Sequence, residues 1–525
     1  MKRFLAIVMA LFIFISLTAC SGPAKNTDSM KNNGTKEDED VVVRLVGGDW
    51  GMPSPYLHYS RGPGAYKMQL LFDSLLEKDE EGIIPWLASE WDIQDSGKEY
   101  IFTLRDNVTW HDGEELTLED IKFTFDYYKN HSPVRNSLIV NGKYIVEDVE
   151  IIDENKIKIN VDSPNATYLE RLGSVRILPK HIWKDVEDPN KFDSEKAVIG
   201  SGPYKFVSYN REQGSYKFNA YEDYWGPRQR VNTIEWIPVS DEILAFEKEK
   251  IDVISPSPDI ISRYENDEKY TIKKNKGFWG YRLILNMEKR PKFKDVNLRR
   301  ALAYGINRQE MVDKVARGAA KVASMGYIPR EHIWYNENIE KYDYNPIKSK
   351  ELLKEKSYTF EILTGNKGEE VKIAELIKMS LKDIGIDVNI KSVDMKTRDN
   401  AVKNKNFEIA LIGHGGWGND PDYLREIYGG ENGETKSLSS NSLPGYYNEE
   451  IIQLCQKQMK ELDKDKRKEI VFKLQELIAK DVPQIPLYNT KSYFVFKTSK
   501  YDGWMYTYDH HYPEHCKLSY LEREK

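Results

Sequence analysis

The sequence predicts an α/β fold with mixed sheets. Two observations predict it. Segments with strand-like alternation and segments with helical periodicity follow one another along the chain, the order that stacks helices on sheets. No repeat of about 20–50 residues is visible, which sets aside solenoids and propellers. At 525 residues the chain allows roughly two to four domains with sizeable cores. An apolar share of 40% with 12% aromatics excludes global disorder, and a mean hydropathy of −0.64 excludes a polytopic membrane protein. Lys plus Arg is 77 and Asp plus Glu is 84, a net charge of −7 that leaves no positive excess for nucleic acid. Three cysteines cannot build a disulfide framework.

The N-terminus reads as a targeting segment. Lys2 and Arg3 precede a nearly unbroken apolar run, Phe4 to Leu17, too short for a membrane span and right for a signal peptide. Leu17-Thr18-Ala19-Cys20 closes it and resembles the lipobox of bacterial lipoproteins. That resemblance implies cleavage before Cys20 and acylation of that residue. Residues 21–40 carry almost no apolar side chains and read as a disordered tether.

The body opens with a strand at Val41 to Val46, stopped by Gly47-Gly48. Tyr66 to Leu76 reads as a helix. Glu99 to Arg105 alternates as a strand, with Tyr100, Phe102 and Leu104 on one face. Thr117 and Asp120 form a weak capping box for a helix carrying Ile121, Thr124, Phe125 and Tyr128 on one stripe. Trp110-His111-Asp112-Gly113, between that strand and that helix, reads as a turn with His and Trp packed beneath it. Val149 to Ile152 and Lys156 to Val161 form a hairpin. Gly200-Ser-Gly-Pro leads into another strand, and Ile234 to Val239 is a further one. Helical stripes follow at Leu298/Ala301/Leu302/Gly305/Ile306, at Ile373/Leu376/Ile377/Ser380/Leu381/Ile384 before Gly385, and at Ile470/Leu474/Leu477/Ile478 before Pro483. Cys455, beside Leu454 and Met459, reads as a buried thiol.

Chemistry is sparse. The sequence has no HExxH, CxxC, GxSxG or GxxxxGK[ST]. One GxGxxG occurs at Gly413, Gly415 and Gly418, but Asn419-Asp420-Pro421-Asp422 follows instead of a helix start. His510, His511, His515 and Cys516 have metal-ligand side chains in a spacing that matches no compact zinc motif. These readings predict a non-enzyme with no cofactor and no resident metal.

Four blocks carry a family resemblance. Tyr100-Ile-Phe-Thr-Leu-Arg-Asp-Asn-Val-Thr-Trp-His-Asp-Gly with Leu118-Glu-Asp-Ile-Lys-Phe-Thr-Phe, then Gly200-Ser-Gly-Pro-Tyr-Lys-Phe with Tyr224-Trp-Gly, are the first two. Leu285-Asn286 with Leu298-Arg-Arg-Ala-Leu-Ala-Tyr-Gly-Ile-Asn-Arg308, and Pro483-Gln-Ile-Pro-Leu-Tyr488, are the others. In this order they resemble family 5 extracellular solute-binding proteins, the receptors of peptide and nickel ABC importers. The resemblance implies a two-lobed periplasmic-binding-protein fold (type II, cluster C) of three domains with a hinged cleft. The expected division is a signal peptide at 1–19 and a lipidated tether at 20–40. Domain I comprises 41–64, 197–275 and 486–525; domain II is 65–196 and domain III is 276–485. The expected protein sits lipid-anchored on the outer face of the cell membrane, and its partners are a short peptide or a nickel chelate and a permease with its ATPases. A secreted hydrolase on the same body is the remaining alternative.

The resemblance also implies ligand residues. Peptide-binding members carry a Trp-x-x-Asp loop whose carboxylate meets the peptide amine, and Trp417 with Asp420 matches it. The loop here is shorter than usual, so Asp420 matches equally a structural Asp-Pro pair. His414 is the candidate for a nickel chelate. Arg61 lies where a guanidinium could fork a ligand carboxylate, and Trp279 and Tyr281 precede the hinge-side strand and could line the cleft.

Overall fold

The computed structural model describes residues 40–59, 63–140, 142–414, 420–429, 443–508, 510 and 512–523. The signal peptide, Cys20 and the tether lie outside them, as do Arg61, His511 and Trp417. The fold is mixed α/β, with several separate sheets.

The first core is built on two four-stranded sheets. In one, Val42–Val46 lies parallel to Thr233–Ile237, which is followed by antiparallel Ser215–Ala220 and Tyr204–Asn210. The other is an antiparallel meander of Ala88–Gln94, Glu99–Leu104, Lys156–Val161 and Val146–Ile151. The predicted alternation holds: Tyr100, Phe102 and Leu104 are all buried. Helix Leu118–Asn130 starts where the capping box puts it, because the Asp120 carboxylate accepts from the Thr117 N–H (2.8 Å) and hydroxyl (2.9 Å). Its stripe of Ile121, Thr124, Phe125 and Tyr128 is buried. His111 is a tie: Gly200 N–H donates to its Nδ1 (3.2 Å), and its Nε2 bonds Gly202 O (2.9 Å). Burial pushes its pKa down to about 4, so it is neutral at physiological pH.

One predicted helix differs. It spans Pro63–Leu71 rather than Tyr66 to Leu76. Pro63 suits the first turn, where no N–H is needed. Past Leu71 the chain turns so that Asp73 reaches a buried cation, and Leu76–Lys78 pairs as a strand with Ile83–Pro85.

The second core is drawn from residues between Phe278 and Tyr488. Its six-stranded sheet has the order Ala320–Val322, Gln484–Thr490, Trp279–Leu285, Ile409–His414, Tyr358–Gly365, Ile386–Val393. The last three run parallel to one another, linked by helices Gly368–Lys382 and Met395–Lys403, and the others are antiparallel to their neighbours. Most of the predicted apolar stripe residues on Val296–Gly305, Gly368–Lys382 and Lys464–Asp481 enter this core, and Cys455 is fully buried in it.

The chain passes between the cores twice, near 275–278 and 490–493. The two passes are tied together: Asn275 N–H donates to Ser492 O (3.0 Å) and Ser492 N–H to the Asn275 side-chain oxygen (2.8 Å). Elsewhere the cores meet where Ala166 N–H donates to Met459 O (2.7 Å).

A buried charge network holds the turn after Pro63–Leu71. Lys517, 2% exposed, donates to Asp73 (2.7 Å) and Glu77 (2.6 Å); Arg176 donates to Glu77 (2.5 Å), and the Trp86 and Trp225 indoles to Asp73. Burial pushes the Glu77 carboxyl up, but Arg176 and Lys517 together outweigh it and hold the pKa at about 2. A carboxyl whose folded pKa lies below its unfolded one adds stability above the unfolded value and loses it as pH falls towards the folded one. Urea midpoints of the wild type should therefore drop between about pH 5 and pH 2, and Glu77→Gln should flatten that drop. Lys517→Met, which leaves the buried Asp73 carboxylate without its cation and Glu77 with Arg176 alone, should cost about 3–5 kcal/mol at neutral pH in the same measurement.

Candidate functional site

The parallel strands Tyr358–Gly365, Ile386–Val393 and Ile409–His414 end at one edge of the six-stranded sheet. In open α/β sheets, crevices outside the carboxyl ends of strands are where ligands bind. The antiparallel strand Trp279–Leu285 begins at this edge, with Gly280 opposite His414, and Gln484–Thr490 ends there, with Trp279 opposite Thr490. Register therefore gathers Trp279, Tyr281, His414 and Tyr488 at one place.

Trp279 and Tyr281 alternate onto one face of their strand. Their rings meet edge-on at 4.7 Å, and Tyr281 meets Tyr488, its cross-strand partner, at 5.5 Å. Gly413 makes room for the indole: a Cβ there would lie 2.5 Å from Trp279 Cζ2. The Tyr281 and Tyr488 rings are buried, but both hydroxyls reach Glu369, at 3.2 and 3.0 Å, one to each carboxylate oxygen. Burial and the Glu369 charge push both phenols well up, so they are neutral donors. Glu369 stands exposed in the first turn of Gly368–Lys382. Its neighbour Glu370 is buried and consumed by Gly365 N–H (2.9 Å) and Arg398 (2.5 Å).

Asp420 lies beyond the end of Ile409–His414. Its two oxygens accept from Arg467 Nη1 (2.7 Å) and Nη2 (2.5 Å), and one also accepts from Asp422 N–H (2.8 Å). Burial pushes its pKa up against the pull of Arg467. Asp422 in turn grips Arg425 (2.8 and 2.7 Å) and Gln458 (2.8 Å), and Gln458 binds back to Arg467. The Asp-Pro-Asp run thus builds a web that starts helix Tyr423–Tyr428. His414 ends its strand at the edge, while Trp417 and Arg61 are outside the described residues.

The C-terminal histidines sit elsewhere. His510 Nε2 and His515 Nδ1 are 2.9 Å apart, and Tyr66 stacks on both rings. Among the described residues no three His, Cys, Asp or Glu side chains are grouped to hold a metal ion.

Sequence reasoning singled out Trp279 and Tyr281, which the structure brings to this sheet edge, and did not single out Glu369 or Arg467. An acidic residue in a first helical turn is ordinary, so Glu369 gave no signal. Tyr488 ends the Pro483-Gln-Ile-Pro-Leu-Tyr488 run, but the sequence does not show that it meets Glu369. The Asp420–Arg467 pair has a measurable consequence. Asp420→Asn removes a charged acceptor from a guanidinium 6% exposed and should cost about 1.5–3 kcal/mol in urea unfolding.

Comparison with known proteins places this architecture. Residues 82–436 match the model of the bacterial extracellular solute-binding proteins, family 5. The oligopeptide-binding protein AppA of Bacillus subtilis (strain 168) is 29% identical over 428 residues, covering 74% of this chain and 76% of that protein. The periplasmic binding protein DppA from Helicobacter pylori, solved in complex with the peptide STSA, superimposes with a TM-score of 0.71 at 24% identity, covering 93% of this chain and 99% of that one. NikZ from Campylobacter jejuni, in complex with Ni(L-His), gives 0.68 at 24% identity, covering 88% and 94%. These relatives are solute-binding proteins and not enzymes, and the chain belongs to the bacterial extracellular solute-binding proteins, family 5.

Proposed function

We propose that this protein is the substrate-binding lipoprotein of an ABC importer, capturing short peptides between its two cores and delivering them to a membrane permease with its ATPases. The observation that carries the peptide reading is the kinship with AppA, a named oligopeptide-binding protein at 29% identity. The sheet edge supports it: a half-buried indole, Trp279, and an exposed carboxylate, Glu369, at one edge suit an amphipathic ligand with a cationic end. The two chain passes at 275–278 and 490–493 are the proposed hinge. On this reading 276–485 is domain III, 65–196 is domain II, and 41–64, 197–275 and 486–525 together make domain I. Closure about two linked passes would bury the ligand while each core moves as a unit. Trp417 and Arg61, which lie outside the described residues, remain proposed ligand residues on the family resemblance alone.

A second reading is a nickel-chelate receptor. It is favoured by the likeness to NikZ bound to Ni(L-His) and by His414 at the same sheet edge. Native mass spectrometry of the purified protein separates the two. A peptide co-purifying with the wild type is expected; nickel with histidine, and calorimetric uptake of both lost in His414→Ala, would move the assignment to the chelate.

Anchoring has its own test. Two or more acyl chains hold a protein to a membrane, whereas one is marginal. Cys20→Ala should leave the membrane fraction and lose the acyl mass; an unchanged fraction would overturn the lipoprotein assignment.

A further inference from the structure

The carboxylates around the sheet edge divide by whether the protein has already neutralised them. Glu370 is paired with Arg398, Asp420 with Arg467, and Asp422 with Arg425, each at 2.5–2.7 Å. Among the described residues no Lys, Arg or His nitrogen lies within ion-pairing distance, 4.0 Å, of Glu369. Its two contacts are the phenolic hydroxyls of Tyr281 and Tyr488, which donate hydrogen bonds but bring no charge. The N-terminus of Gly368–Lys382 offsets only part of a full negative charge.

We propose that Glu369, and not Asp420, is the residue that anchors the cationic nitrogen of the ligand. This rests on the peptide-receptor reading above and names the charge that the ligand must carry. The geometry is that of a prepared acceptor. Two buried rings, edge-on to each other and with Tyr281 also edge-on to Trp279, hold one hydrogen bond to each carboxylate oxygen. Each oxygen keeps a lone pair for an arriving N–H, and the carboxylate loses little freedom on binding because the phenols already orient it. The incoming bond is charge-assisted, the stronger kind. An anionic ligand group finds the reverse: a carboxylate, with both nearby hydroxyl protons already given away.

Asp420 cannot be released at the same cost. Freeing it for an amine would leave Arg467 buried without its carboxylate, and stranding a buried ionic partner is strongly unfavourable.

The test uses the full mature chain and two equimolar tripeptide libraries, one with free amino termini and one N-acetylated, read by equilibrium dialysis and mass spectrometry. The wild type should retain free-amine members and reject the acetylated ones. Glu369→Gln should weaken the retained members by about 30-fold or more. Its thermal midpoint should stay near the wild type's, because the side chain is exposed. Tyr281→Phe with Tyr488→Phe, which unties the carboxylate but leaves its charge, should weaken them by a smaller factor. Asp420→Asn should lower the thermal midpoint and leave retention close to wild type. Equal retention by Glu369→Gln and wild type, or retention of acetylated members by the wild type, would overturn the assignment while the peptide reading stands. A wild type that retains neither library would instead overturn the peptide reading. The ligand co-purified with it would then decide the anchor: a protonated amine or guanidine lost from Glu369→Gln upholds Glu369, and an anionic, uncharged or absent ligand overturns it.

Discussion

The register of one strand governs the candidate site. Trp279–Leu285 is hydrogen-bonded on both edges, to Ile409–His414 and to Gln484–Thr490, and its residues from Gly280 onward are buried. A strand with both edges taken cannot slip without breaking two ladders and turning its side chains to the opposite faces. In the observed register Tyr281 stands opposite Tyr488, so two hydroxyls from strands far apart in sequence converge on one carboxylate. Arg282, the next residue along, is also fully buried. It donates to the Gln484 side chain (2.9 Å) and lies over the Tyr327 ring at 5.3 Å.

Buried cations bonded to carbonyls set the stiffness around that strand. Arg308 donates to the carbonyls of Ala323 (3.1 Å), Pro486 (3.1 Å) and Tyr342 (2.7 Å). Arg299 gathers those of Phe293, Lys294, Asp481 and Val482, together with the Asp481 carboxylate. Arg299 satisfies carbonyls at turns and helix ends, and Arg308 joins such carbonyls to one on the strand Gln484–Thr490, in geometry that a planar fork of donors provides. The region carrying the sheet edge is therefore crosslinked through its backbone. The two passes between the cores are tied to each other by the Asn275–Ser492 pair, and Lys491 on one of them also donates its N–H to Ala319 O (2.9 Å) and pairs with Glu331 (3.1 Å). Two bodies joined by a pair of adjacent chain passes are the arrangement on which the proposed hinge rests.

Adjacent carboxylates end up with unlike roles for the same reason. Glu369 and Glu370 are consecutive, yet helical geometry turns one out to the sheet edge and the other in against Arg398. Asp420 and Asp422 both turn inward and are spent on Arg467 and Arg425. Chemistry of residue type is equal across the four; burial and the nearest cation decide which charge is available.

Much of the fold was legible before any coordinates. Alternation at Tyr100/Phe102/Leu104, the Thr117–Asp120 box and the apolar helical stripes report local periodicity, and local periodicity is written in neighbouring residues. The four blocks likewise identified the family, because they reflect turns and buried positions that the fold needs in that order. The helix placed at Tyr66 to Leu76 was misjudged because its end depends on Asp73 finding Lys517, a residue more than four hundred positions away. The surroundings of the candidate site were hidden for the same reason. The family resemblance puts Trp-x-x-Asp forward as a ligand motif, but the sequence does not show that Arg467 is bonded to Asp420. Nor does it show that Tyr281 and Tyr488 meet over Glu369. By itself the sequence determined the elements and the family; tertiary structure decided which charges are spent, because neutralising a carboxylate depends on distance in space and not along the chain.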